Sequence, residues 1–173
     1  MCLSIFNHTS TMKSLLLLFS FSMTLSLFAQ FTYVPDGNFE QRLINLGLDD
    51  LLDGQILTSN INVVSSLIAS SSSISDLTGI EDFTSLTSLS CYSNQLTSLN
   101  VSNNTALTFL HCGSNQLTAL DVSNNTALTT LKCSSNQLTA LDVSNNTALT
   151  LLYCNTNQLT ALDVSQNTAL SLL

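Results

Sequence analysis

Four cysteines, Cys91, Cys112, Cys133 and Cys154, recur every 21 residues. Thiols in such a register could pair as disulfides or bind zinc. Neither chemistry fits the pattern. Side chains on parallel stacked strands project side by side, which opposes bridge geometry. There is no C-x-x-C pair, and a linear column cannot surround one tetrahedral metal. The expected role is a column of small, buried, unpaired thiols. Cys2 falls in a leader segment expected to be lost.

Asp121, Asp142 and Asp163 form a second column, with Asn100 ahead of it. They lie between inward Leu and Val and should face outward. Carboxylates on neighbouring strands, about 5 Å apart, repel and need compensation. Backbone N–H groups of the following turn are the expected donors. Bound Ca²⁺ is the alternative, although the G-G-x-G-x-D type of repeat is absent. For catalysis there is little: one histidine beyond the leader, His111, no nucleophile-plus-base pattern and no enclosing cleft. The chain is therefore expected not to be an enzyme and to need no cofactor.

The columns that vary are more informative. Between Leu and Cys of successive units stand Ser90, His111, Lys132 and Tyr153. Before that Leu stand Ser88, Phe109, Thr130 and Leu151. After Cys stand Tyr92, Gly113, Ser134 and Asn155. By the period-two rule of strands, all three columns face outward on one sheet. Neutral drift at exposed positions is one account of them. The other is a ligand-binding face made of Tyr92, Phe109, His111, Lys132, Leu151 and Tyr153, because aromatic anchors and a cation on a rigid surface suit protein or glycan recognition.

What must position these columns is a repeat. Residues 86–106, 107–127, 128–148 and 149–169 each read L-T-x-L-x-C-x-x-N-Q-L-T-[SA]-L-[ND]-V-S-x-N-T-A, residues 170–173 open another unit, and residues 64–85 are a degenerate 22-residue first unit. Its Leu67, Ala69, Ile74 and Leu77 align with Leu89, Cys91, Leu96 and Leu99. The unit is itself two nested halves of ten and eleven residues, both following L-x-x-L-x-φ-x-x-N with φ apolar. Each half is expected to carry a short strand with Leu and Cys or Val inward. The few apolar side chains of one coil cannot offset the entropy of ordering its backbone, so coils must stack and share a core. Two asparagine columns follow the strands: Asn94, Asn115, Asn136 and Asn157, then Asn104, Asn125, Asn146 and Asn167. Their amides are expected to bond the neighbouring coil's backbone. Asn100, Asn103, Asn124 and Asn145 begin N-x-[ST] sequons, read as incidental.

Upstream, residues 30–63 read as an N-terminal cap over the first coil. Asp36 or Asn38 can cap a helix with an apolar face of Phe39, Leu43 and Leu46, which Gly47 ends. Residues 1–29 read as a cleaved secretory signal: Lys13, then an apolar run from Leu15 to Phe28 too short to span a bilayer, then Ala29. Export to the outside of the cell or its surface follows, with no membrane insertion after cleavage. The net charge is −8 with three basic residues, and loss of the leader keeps only Arg42 and Lys132. Such a chain cannot neutralise a phosphate backbone, so nucleic acid is excluded as a partner.

The spacing L-x-x-L-x-C-x-x-N-x-L resembles the leucine-rich-repeat consensus with Cys in one Leu position. The ten-plus-eleven unit is similar to the bacterial 21-residue class called IRREKO. The leader, F-T-Y-V-P-D-G-N-F-E-Q-R-L and D-L-T-G-I-E-D-F (Asp76–Phe83) look like secreted leucine-rich-repeat proteins of Bacteroidetes, especially flavobacteria. The resemblance implies a leucine-rich-repeat solenoid, of α/β class but β-dominated: short parallel strands stacked coil on coil, two half-repeats per coil, with a small N-terminal helical cap. It implies a non-catalytic binding scaffold with an unknown protein or glycan ligand. A self-assembling adhesive repeat, or the repeat region of a larger secreted enzyme, are the alternatives. Such proteins usually continue further, so the chain is expected to be the first part of a longer solenoid.

Overall fold

The computed structural model describes residues 30–172. The expected signal segment lies outside the described residues. Five three-residue strands form one parallel sheet in chain order: β3 (Ser66–Ile68), β4 (Ser88–Ser90), β5 (Phe109–His111), β6 (Thr130–Lys132) and β7 (Leu151–Tyr153). Register follows the repeat. Leu67 pairs with Leu89, Leu89 with Leu110, Leu110 with Leu131, and Leu131 with Leu152. These central leucines are all buried, while their two neighbours in β4 to β7 are half-exposed. The Leu-x-Cys alternation dictates this, because successive side chains of a strand point to opposite faces.

Each strand is short because the chain turns sharply just beyond it. Ser93, Ser114, Ser135 and Thr156 take left-handed backbone, with φ of 58°, 53°, 57° and 56°. The asparagine two positions after Gly113 and its equivalents closes that turn. Asn115 donates Nδ2 to the carbonyls of Cys91, Cys112 and Gly113 at 3.0, 3.1 and 3.2 Å, and its Oδ1 accepts the Leu96 N–H at 3.0 Å. One side chain thus satisfies backbone groups on two coils. Asn136 repeats the arrangement one coil on.

The expected strand in the second half of each unit does not form. Val101, Val122 and Val143 are buried as expected. Among the described residues, however, the second halves are joined by a single parallel bridge, Asn100 to Asp121. Side chains have taken the groups a strand ladder would use. Asn125 Nδ2 donates to the Val101 and Asn104 carbonyls at 3.0 and 2.9 Å, and the Asp121 carboxylate accepts the Ser123 N–H at 2.9 Å. Backbone groups satisfied this way have no need of a neighbouring strand.

The N-terminal segment pairs β1 (Phe31–Tyr33) antiparallel with β2 (Gln55–Leu57), around helices α1 (Gly37–Asn45) and α2 (Thr58–Ile61). Asp36, not Asn38, caps α1, accepting the N–H groups of Asn38 and Phe39. Phe39 and Leu43 are fully buried and join one continuous core that runs through Leu67, Leu89, Leu110, Leu131 and Leu152. Leu46 corrects the expected face: it is the C-cap residue and 41% exposed, because the chain leaves the helix there through Gly47 at φ +72°. The buried position the apolar pattern missed is Glu40, whose Oε1 accepts the backbone N–H groups of Asp53, Gly54 and Gln55. Gly79 (φ +102°) brings the first coil against β1. A Cβ there would lie 2.8 Å from the Tyr33 carbonyl oxygen.

Candidate ligand-binding face

The outward side of the sheet gathers most of the variable residues into one connected strip. The Tyr92 and His111 rings stack with centroids 4.7 Å apart and planes 26° apart. His111 meets Phe109 edge to face at 6.4 Å and 88°. Lys132 Nζ lies 5.9 Å from the Phe109 ring centroid and 5.4 Å from that of Tyr153. Rings attract an ammonium through their quadrupoles, and they prefer offset or T-shaped pairs to face-on ones. Four coils therefore contribute to a single strip that crosses the strands. Leu151 stands on the same face, beside Thr130 in register and bridged to Leu172.

Gly113 faces the outer side of the sheet, as the period of two expects, but it is buried there, because the His111 imidazole leans over it. A Cβ at Gly113 would sit 3.4 Å from His111 Nε2 and 3.1 Å from the Ser134 carbonyl oxygen. The missing side chain opens the path that His111 takes to Tyr92. The sequence signal was available: one glycine in a column of otherwise larger residues, diagonal to an aromatic. Burial first, and the Lys132 ammonium second, hold the His111 pKa below its ordinary 6.5. The ring is thus neutral at pH 7, and can both donate and accept a hydrogen bond.

The other two columns are structurally quieter. Cys91, Cys112 and Cys133 are buried, Cys154 is half-buried, and all four are free thiols. Burial pushes the Cys91 and Cys133 thiols up to about 12, and Cys112 well above its usual range. The carboxylates of Asp121, Asp142 and Asp163 are exposed, and each accepts the N–H of the serine two residues on, at 2.9, 2.9 and 2.8 Å. Hydrogen bonds from that serine hold each carboxyl below 3.8, through the hydroxyl first at Asp121 and the backbone N–H first at the other two. Among the described residues, no group of three His, Cys, Asp or Glu side chains is placed to hold a metal.

The chain is similar to the functional domain of InlJ from Listeria monocytogenes, which includes a cysteine ladder: TM-score 0.78 and 44% identity, over 84% of this chain and 33% of that one. The fold is a leucine-rich-repeat solenoid. An internalin, InlF, from Listeria monocytogenes strain 4b F2365 shares the fold at TM-score 0.63 and 20% identity, over 80% of this chain and 48% of that one. A leucine-rich-repeat protein of Leptospira interrogans matches at TM-score 0.51 and 30% identity, over 54% of this chain and 26% of that one. The chain thus spans about a third of the InlJ chain and about half of the InlF chain. A family model for the LVIVD repeat matches residues 132–156. No match was found among curated proteins.

The thiol column of this solenoid should be chemically silent while folded, because the thiolate is the reactive form. Iodoacetamide in mildly alkaline buffer is expected to leave Cys91, Cys112 and Cys133 unmodified in the native chain. Cys154, half-buried and raised less, should react first. All should alkylate in concentrated guanidinium. Peptide-resolved mass spectrometry reads the order. Native-state labelling of Cys112 ahead of Cys154 would contradict it.

Proposed function

We propose that the chain is a non-catalytic protein-binding scaffold, exported through its cleaved leader and working outside the cell or on its surface. Residues 30–63 would serve as its N-terminal cap, and the ten-plus-eleven unit supports placing it in the 21-residue IRREKO class. The observation that carries the functional reading is the strip Tyr92–His111–Phe109–Lys132–Tyr153. These side chains stand on the outer face of a regular sheet, where the core needs none of them. Binding energy concentrates on such aromatic and cationic anchors when a rigid scaffold presents them. Ca²⁺ at Asp121, Asp142 and Asp163 is a separate proposal that the serine turns make unnecessary for charge compensation. Among the described residues no helix is long and apolar enough to cross a membrane.

The test is a displayed random-peptide library panned against the immobilised chain. Its partner is a variant with Phe109, His111, Lys132 and Tyr153 all changed to Ala. These positions are half-exposed, so the variant should keep the wild-type circular dichroism spectrum and a melting temperature within a few degrees. Peptides enriched on the wild type are expected to lose about 100-fold in affinity on the variant. Enriched peptides that bind both proteins equally would remove the strip as the binding surface.

A further inference from the structure

The solenoid separates its charges by face. All eleven acidic residues lie off the outer side of the sheet: the stretches 66–71, 88–93, 109–114, 130–135 and 151–156 contain no Asp or Glu. The repeated carboxylates, Asp121, Asp142 and Asp163, belong to the second half of each coil, away from β5, β6 and β7. Two cations fall among the described residues, Arg42 and Lys132. Arg42 is committed to the edge of the sheet, where its Nε donates to the Ile68 carbonyl at 2.8 Å. Lys132 stands in the middle of the aromatic strip, and its ammonium is flanked by the Phe109 and Tyr153 rings.

We propose that the occupant of this face is a protein segment presenting a carboxylate flanked by aromatic or aliphatic side chains, with the carboxylate seated at Lys132. This rests on reading the strip as the binding surface. Ring faces satisfy an ammonium only in part, since they carry no formal charge and offer no lone pair to its three N–H donors. An incoming carboxylate would complete it with a charge-assisted hydrogen bond. The Tyr153 hydroxyl and an imidazole N–H of His111 are further donors within the strip, while Phe109 and Tyr92 offer apolar floor to flanking side chains. A cationic segment meets the opposite situation. It would face Lys132 as a like charge here and find the Asp column on the other flank.

The panning described above distinguishes the two levels of the reading when Lys132→Glu and Lys132→Arg proteins are added. Peptides enriched on the wild type and lost on the quadruple alanine variant are expected to carry Asp or Glu next to an aromatic residue or Leu. They should be lost on Lys132→Glu and held within about tenfold on Lys132→Arg, which keeps the charge while changing the shape of the cation. A copy of the best peptide with Asp or Glu replaced by its amide should bind at least about tenfold more weakly, measured by fluorescence anisotropy. Face-dependent peptides that lack an acidic residue, or that tolerate the amide replacement, overturn the carboxylate proposal and leave the binding face standing. Peptides indifferent to the quadruple variant overturn both.

Discussion

Changing Asn115 to Ala is expected to lower the unfolding free energy by about 3–5 kcal/mol, because a buried donor left without a partner costs roughly 1–3 kcal/mol and each lost hydrogen bond about another 1. The Leu96 N–H has Asn115 Oδ1 as its acceptor at 3.0 Å, and Leu96 is fully buried. Three carbonyls, those of Cys91, Cys112 and Gly113, lose an Nδ2 donor at the same time.

Asn125 provides the internal comparison. Its Nδ2 makes two bonds, but its Oδ1 is buried without a partner. The carbonyls served by either amide keep other donors, the N–H groups of Asn104 and Leu107 for Asn125 and, for Asn115, Asn94 Nδ2, Asn136 Nδ2 and the Ser93 N–H, so the orphaned Leu96 N–H is what separates the two positions. Asn125→Ala should therefore cost less, about 1–3 kcal/mol. Urea unfolding followed by far-ultraviolet circular dichroism measures both. Equal losses at the two positions would mean that the accepted Leu96 N–H contributes nothing.

Asp36→Ala should be of similar size, about 3–5 kcal/mol, since it combines an N-cap worth about 1 kcal/mol with charge-assisted bonds of roughly 1.5–3. Oδ1 accepts the Asn38 and Phe39 N–H groups at 2.9 and 3.0 Å. Oδ2 accepts the Ser75 N–H, the Ser75 hydroxyl and the Asp76 N–H at 2.8, 2.7 and 3.0 Å. One carboxylate thus starts α1 and fastens it to the first coil. Burial alone would raise its pKa, but the hydrogen bonds from Ser75, Phe39 and Asp76 together outweigh burial and hold it below 3.8.

The sign of the pH effect follows. A depressed folded-state pKa contributes stability that is fully present above the unfolded value of about 3.9 and is lost as pH falls through the lower folded one. The stability gap between wild type and Asp36→Ala should be constant near neutrality and narrow below about pH 4. A gap that stays constant into strong acid would show that the carboxylate's charge is not what matters.

Much of the fold was legible because a repeat announces itself. The register Leu89–Leu110–Leu131–Leu152, the buried cysteine column and the inward valines follow from spacing alone, since an identical unit stacked on itself must place equivalent residues in columns. The helix bounded by Asp36 and Gly47 was legible for a local reason, namely cap and left-handed chemistry. Glu40 was not, because nothing in its neighbourhood of the chain says that a turn 13 residues later will fold three N–H groups onto it. The missing second-half strand was not legible either. Its apolar alternation is that of a strand, and only the stacked coils bring Asn125 to the Val101 carbonyl.

The same division runs through the candidate face. Sequence determined which side chains share the outer side of the sheet: Phe109, His111, Lys132, Leu151 and Tyr153, with Tyr92 just past its strand. It also determined that no carboxylate stands among them. The period of two and the 21-residue repeat suffice for that, because both act along the backbone. Only the tertiary structure decided how they meet. That His111 leans over Gly113 onto Tyr92, and that Lys132 lies between two rings from adjoining coils, depend on side-chain torsions. Those torsions are set by neighbours distant in sequence, and strand spacing brings those neighbours within contact.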